Sequence, residues 1–137
     1  MHNSIRLVVG DWSGDGHEKT QDIWILSNRT EKQIQKAYKA GTKQVGFDLS
    51  ETVCRNYEDC YISKEKLKTL ASLGMVLRSH DGTPYELEQD EDRFVMEAET
   101  FADMYLFIAS LGDPDLKYQY DYTPDNHINI GGYGLFH

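Results

Sequence analysis

The sequence predicts an α+β fold: a single compact domain over residues 1–137, mostly antiparallel sheet, with about three helices. Three observations carry that expectation. Short apolar runs rich in β-branched residues recur along the chain, two polar caps open stripes of helical period between them, and no repeat, low-complexity run or linker divides the 137 residues. The expected sheet comprises an N-terminal hairpin, an acidic middle hairpin and C-terminal strands.

Taken in order, Ile5 to Val9 reads as a buried strand punctuated by Gly10, and Gln21 to Ser27, carrying Ile23, Trp24, Ile25 and Leu26, reads as a second. Thr30 and Gln33 have the spacing of a capping box, in which each side chain satisfies the other's backbone N–H. The helical stripe Ile34, Ala37, Tyr38 follows, with Gly41 expected to close it and Lys32, Lys36, Lys39 and Lys43 on the wet face. Val45 to Leu49 reads as a short strand, while Ser50 to Tyr61 is ambiguous. Ser63 then caps a helix through Leu67, Leu70, Ala71 and Leu73, with Gly74 just past its end. Met75 to Arg78 reads as another short strand, leading into a turn from His80 to Pro84.

Two patterns compete beyond that turn. Tyr85 to Glu88 and Arg93 to Ala98 alternate as a hairpin tipped by Asp90, Glu91 and Asp92, whereas Phe94, Ala98, Phe101, Tyr105 and Ile108 also fall at helical spacing. The hairpin is preferred, followed by a helix from about Thr100 to Leu111, because Thr100 can cap it and Gly112 with Pro114 can end it. Tyr118, Tyr120 and Tyr122 then alternate on one face of a strand. Thr123 to Asn126 makes a turn, Ile128 and Ile130 continue, and Gly131 to Gly134 loosens the chain, so that the tail reads as a tyrosine-rich strand pair.

Composition excludes several classes. With 39% apolar and 27% charged residues and 3 prolines the chain is neither disordered, collagen-like nor membrane-spanning. A chain of this length buries roughly two-thirds of its unfolded surface, so neither a disulfide nor a metal is needed to hold it together. The segment Met1 to Val9 lacks the apolar core and cleavage site of a secretory signal, which makes the cytoplasm the expected location and Cys54 and Cys60 reduced thiols. Charge is strongly asymmetric. Residues 1–78 carry 12 Lys and Arg against 10 Asp and Glu, a net +2, while residues 79–137 carry 2 against 13, a net −11. Such asymmetry bears on partners more than on fold.

One motif stands out. Asp11, Ser13, Asp15, Gly16 and Asp22 occupy the first, third, fifth, sixth and twelfth positions of a calcium loop, and the His17 carbonyl falls where a further oxygen ligand is wanted. The segment Val9 to Gly16 resembles the strand-flanked calcium loops of propeller repeats, although here it occurs once. Glu18 stands where an EF-hand has an aliphatic residue, and Lys19 where it has a ligand or water. The same glycines and acids also suit a long hairpin connection whose side chains bond their own backbone. A phosphate-loop reading fails because Glu18, not glycine, precedes Lys19 and a strand, not a helix, follows. His17, His80, His127 and His137 read as solvated side chains, and no Ser or Cys sits in a nucleophile turn.

The leading functional expectation is therefore a non-enzymatic binding protein, of the inhibitor or immunity kind. Glu86, Glu88, Asp90, Glu91 and Asp92 would steer a basic, nucleic-acid-handling protein partner, with Tyr118, Tyr120 and Tyr122 as anchors; direct nucleic-acid or membrane binding is not expected. The alternatives are a calcium or other divalent-cation module built on Asp11, Ser13, Asp15, His17 and Asp22, and a nucleotide-sequestering protein using the C-terminal aromatics. The cation alternative has a direct test. Calcium at a hundredfold over its dissociation constant adds about 2.7 kcal/mol to stability, so a thermal melt shifts upward with the ion and loses that shift in Asp15→Ala. A melt indifferent to calcium removes the reading.

Overall fold

A computed structural model of the chain describes residues 3–9, 21–49, 60–78, 82–96, 98–121 and 132–135. Their elements run β1 (Asn3–Val9), β2 (Gln21–Ser27), α1 (Glu31–Val45), β3 (Cys60–Ser63), α2 (Lys64–Ser72), β4 (Gln89–Asp90), β5 (Arg93–Met96), α3 (Ala98–Gly112), β6 (Tyr118–Tyr120) and β7 (Gly132–Leu135). This is the expected α+β class with three helices. The strands form two sheets, a four-stranded one in the order β6-β2-β1-β7 and a three-stranded one in the order β3-β5-β4.

The N-terminal pair forms as the apolar pattern requires. β1 and β2 are antiparallel in the register Asn3↔Ser27 to Val9↔Gln21, which places Ile5, Leu7, Ile23 and Ile25 together in the core. At the C-terminal end the expected strand from Tyr118 forms as β6 and pairs with β2, while β7 pairs in parallel with β1, so the two lie at opposite edges of one sheet. Gly132–Leu135, expected to loosen the chain, is a strand because ladder bonds are made by the backbone and an edge position asks little of side chains. Ile128 and Ile130 lie outside the described residues.

Helix α1 begins at the expected capping box: Gln33 N donates to Thr30 Oγ1 at 3.2 Å and Thr30 N to Gln33 Oε1 at 2.8 Å. It does not close at Gly41 but runs to Val45, where Gly46 ends it at φ +86°. The reason is packing against α3. A Cβ on Gly41 would fall 1.9 Å from the Ile108 carbonyl oxygen, and one on Gly112 would fall 2.0 Å from the Ala37 carbonyl oxygen. Gly41 is thus a contact glycine rather than a terminator. The longer helix also overturns the expected strand from Val45 to Leu49. That stretch leaves the helix in a turn held by Tyr38, whose hydroxyl accepts from Leu49 N at 2.9 Å and donates to Asp48 at 2.7 Å.

Ser63 caps α2 as expected, accepting from Lys66 N at 3.2 Å; of the ambiguous stretch Ser50 to Tyr61, Cys60 and Tyr61 belong to β3 and residues 50–59 lie outside the described residues. Met75 to Arg78 is not a strand. It makes only an isolated bridge, Arg78↔Pro84, with Tyr85 N donating to the Leu77 carbonyl at 3.1 Å. The acidic hairpin is present, but its first arm is Gln89–Asp90 and its turn Glu91 and Asp92; the expected arm Tyr85–Glu88 is not a strand, although Val95 N donates to the Glu88 carbonyl at 2.8 Å. Residues 85–88 still alternate, Tyr85 and Leu87 half-buried and Glu86 and Glu88 exposed. Helix α3 starts at Ala98, which puts Thr100 inside it and 2% exposed rather than at the cap.

α3 is the centre of the molecule. Met104, Tyr105 and Leu106 are consecutive and all buried, which one amphipathic face cannot achieve, so α3 has neighbours on several sides. One core cluster runs from Ile5 and Leu7 through Phe101 and Ile108 to Ile62, Leu70 and Met96. A polar clasp fixes the far end of α3 to the sheet. Ser27 Oγ donates to the Lys117 carbonyl at 2.7 Å, Lys117 N donates to Asn28 Oδ1 at 2.8 Å, and Arg29 Nε donates to Asp113 Oδ2 at 2.7 Å. The Arg29 bond holds the Asp113 carboxyl below its ordinary range.

The two contact glycines make an ordered prediction. Gly41→Ala and Gly112→Ala each cost about 3 kcal/mol in urea unfolding, since a facing backbone carbonyl cannot turn away, despite alanine's better helix propensity. Gly46→Ala, at positive φ but in open space, costs about 1 kcal/mol.

Candidate functional site

The least buried stripe of α3 is Glu99, Asp103 and Phe107, spaced four residues apart on one face. Above it opens a cleft of about 500 Å³, walled on one side by Met75 to Arg78 and on the other by Tyr118 to Tyr120. Asp103 sits in an otherwise apolar run from Phe101 to Ala109, and two phenols hold it. Tyr85 Oη donates to Asp103 Oδ2 at 3.2 Å, and the Tyr120 hydroxyl donates to Oδ1. Tyr85 reaches it because the Leu77 and Pro84 contacts fold residues 84–85 back against the 75–78 segment. Tyr118 meets Tyr120 edge to face, with ring centroids 6.1 Å apart.

Burial dominates the electrostatics here. It raises the Asp103 carboxyl above its ordinary value, while the hydrogen bonds from Tyr120 and Tyr85 pull the other way and Glu99 adds repulsion. Burial likewise pushes the Tyr85 and Tyr118 phenols up to about 12, so both stay protonated, and Tyr85 remains a donor, throughout the physiological range.

The expected site residues divide into three groups. Glu86, Glu88, Glu91 and Asp92 are exposed along the hairpin, and Asp90 is half-buried, 3.3 Å from Arg93 Nη2. Arg93 in turn stacks over Tyr61, its guanidinium carbon 3.7 Å from the ring centroid, which fixes the root of the hairpin. The hairpin turns in two residues, and Glu91 holds φ +59°, the one non-glycine at positive φ among the described residues. Gln89 Nε2 supports this turn by donating to the Glu91 carbonyl at 2.9 Å. Tyr118 and Tyr120 are half-buried and form one wall of the cleft. Tyr85 joins the two parts, since it opens the acidic stretch and touches Asp103 beside Tyr120.

Tyr122, Asp11, Ser13, Asp15 and His17 lie outside the described residues. Asp22 is exposed on β2 and lies 3.9 Å from Arg6 Nη1. Among the described residues no group of three or more His, Cys, Asp and Glu is placed to hold a metal ion. A second hollow, about 430 Å³, is lined by Arg29, Gln33, Lys36 and Asp113 and shares no residue with the tyrosine cleft. Its Arg29 is held by Asp113.

Sequence reasoning missed Asp103, Tyr85 and Phe107 as site residues. The signal was a single carboxylate interrupting the most apolar helix, a position where a charge is costly unless partnered. Comparison with protein-family models, with curated proteins and with solved structures finds no match.

The Asp103 environment sets a pH dependence. Because its folded pKa is raised, the folded chain binds this proton more tightly than the unfolded chain does. The associated stability is complete below the ordinary value of 3.8 and is lost as pH rises through the raised value. Asp103→Asn has no such proton. In urea unfolding across pH the variant therefore gains on wild type as pH climbs from 3.8 through that value, and the difference is constant above it. Parallel profiles for the two proteins would contradict the assignment.

Proposed function

We propose that the protein is a non-enzymatic binding protein, of the inhibitor or immunity kind, whose acidic hairpin engages a basic, nucleic-acid-handling protein partner. The observation that carries this reading is the hairpin tip. Glu91 occupies a left-handed backbone conformation that costs a residue with a side chain about 1 kcal/mol, in a two-residue turn where glycine or asparagine is the easy choice. A carboxylate at such a position, exposed beside Asp92 and a few residues from the exposed Glu86 and Glu88, supports a role outside the fold.

The physics of such a site is steering. Exposed carboxylates at the β4–β5 turn raise the rate of encounter with a positively charged surface, and their effect fades as salt shortens the range of the field. The Arg93–Tyr61 stack and the Asp90–Arg93 pair keep the arm in one orientation, so that less order has to be acquired on binding.

The triple variant Asp90→Lys, Glu91→Lys, Asp92→Lys tests this reading. Wild type immobilised at low ionic strength captures a basic protein from its native host and releases it as salt rises to about 0.5 M, where the screening length is under 5 Å. The triple variant captures none. Capture unchanged by the reversal, or no basic protein retained at low salt, removes the reading.

A further inference from the structure

We propose that the cleft over Asp103 receives one basic side chain of that partner, its ammonium or guanidinium meeting the Asp103 carboxylate and its aliphatic stem lying between Met75, Leu77 and Phe107. The proposal rests on the hairpin reading for the identity of the occupant, and on the cleft itself for its chemistry.

Asp103 is built to accept a further donor. A carboxylate offers about four acceptor positions, and the Tyr85 and Tyr120 hydroxyls use two of them. Both phenols approach as donors and so hold the carboxyl in a fixed orientation, one oxygen each. Among the described residues no Lys or Arg pairs with it. Arg78, which also lines the cleft, is turned to the Gly82 carbonyl, to which its Nη1 donates at 2.9 Å.

The walls suit a cation on an apolar stem. Met75, Leu77 and Phe107 give aliphatic and aromatic surface, and Tyr118 and Tyr120 present rings beside the carboxylate, a setting in which a desolvated cation gains from both charge and ring faces. A neutral or anionic group would leave the half-buried acid without a cation. At the mouth of the cleft Val76 is 56% exposed, an apolar rim of the kind that excludes water around a central contact. The cleft also connects with the steering acids, since Tyr85, which holds Asp103, directly precedes Glu86. A basic surface drawn to residues 86–92 therefore arrives beside this opening.

The test uses blocked amino acids as probes: Nα-acetyl-lysine methylamide and Nα-acetyl-arginine methylamide, with Nα-acetyl-norleucine methylamide as the neutral control, titrated into the full chain and followed by amide NMR shifts. At least one basic probe is expected to give saturable shifts at Phe107, Tyr118 and Gln119, with affinity about tenfold above norleucine, the scale of one charge-assisted hydrogen bond. Asp103→Asn reduces the affinity of that probe about tenfold, whereas the hairpin reversal leaves it unchanged. Equal binding of all three probes by wild type, or no saturable shift with either basic probe, overturns the proposal without recourse to any variant. Its failure is separable from that of the hairpin reading, which stands or falls on capture by the triple variant.

Discussion

Everything else in the fold depends on how closely α1 and α3 approach. At Gly41 and Gly112 each helix presses a bare Cα against a carbonyl of the other, Ile108 on one side and Ala37 on the opposite side. With the two axes brought together in this way, α3 is buried along most of its length, and ahead of its last turn the residues left partly open are the stripe Glu99, Asp103, Phe107. The same approach brings Tyr38 against Tyr105, with ring centroids 4.2 Å apart and planes 14° from parallel, and so leaves the Tyr38 hydroxyl to shape the exit from α1. Close-packed interiors transmit such constraints because there is no spare volume to absorb them.

The clasp between residues 27–29 and 113–117 extends this constraint to the cleft. Ser27 is fully buried at the end of β2, and its hydroxyl donates to the Lys117 carbonyl while accepting from Arg29 N at 3.1 Å. Since Lys117 immediately precedes β6, the position of Tyr118 and Tyr120 is fixed from the sheet side, just as Asp103 is fixed from the helix side. The cleft is the gap between two separately anchored walls, with the phenol-to-carboxylate bonds closing its floor. Its third wall is held by the backbone bond from Tyr85 to Leu77.

Much of the architecture was legible in the chain because it rests on local chemistry. The Thr30–Gln33 box, the Ser63 cap, the β1–β2 pairing and the acidic turn are each determined within a few residues, by capping side chains or by period-two alternation. The misreadings have a common physical cause. Gly41 reads as a stop because a glycine in a helix costs stability locally, and only α3, distant in sequence, gives it a reason to be there. Thr100 looked like a cap because capping residues are recognised by type, whereas the helix begins at Ala98 and buries it. Gly132–Leu135 offers the side-chain pattern of a loop, yet its backbone completes a ladder with β1. Asp103 was visible among the other acids but not distinguished from them. What sets it apart is a pair of phenols, 18 residues before it and 17 residues after it, that no periodicity connects.

The parallel pairing of β7 with β1 has a consequence in time. Arg6 to Val9 aligns with Gly132 to Leu135, so strands from the two ends of the described chain lie side by side. A hairpin such as β1–β2 can close within microseconds, whereas this pairing joins segments far apart in sequence and must wait until residues 132–135 have emerged and the chain before them has collapsed. Until then the outer edge of β1 is an open row of donors and acceptors, the kind of edge that recruits foreign strands. β7 therefore shields β1 from Arg6 to Val9 and becomes the edge in its place, so that the row open to other chains there passes from a strand of seven residues to one of four, and a short edge recruits foreign strands poorly.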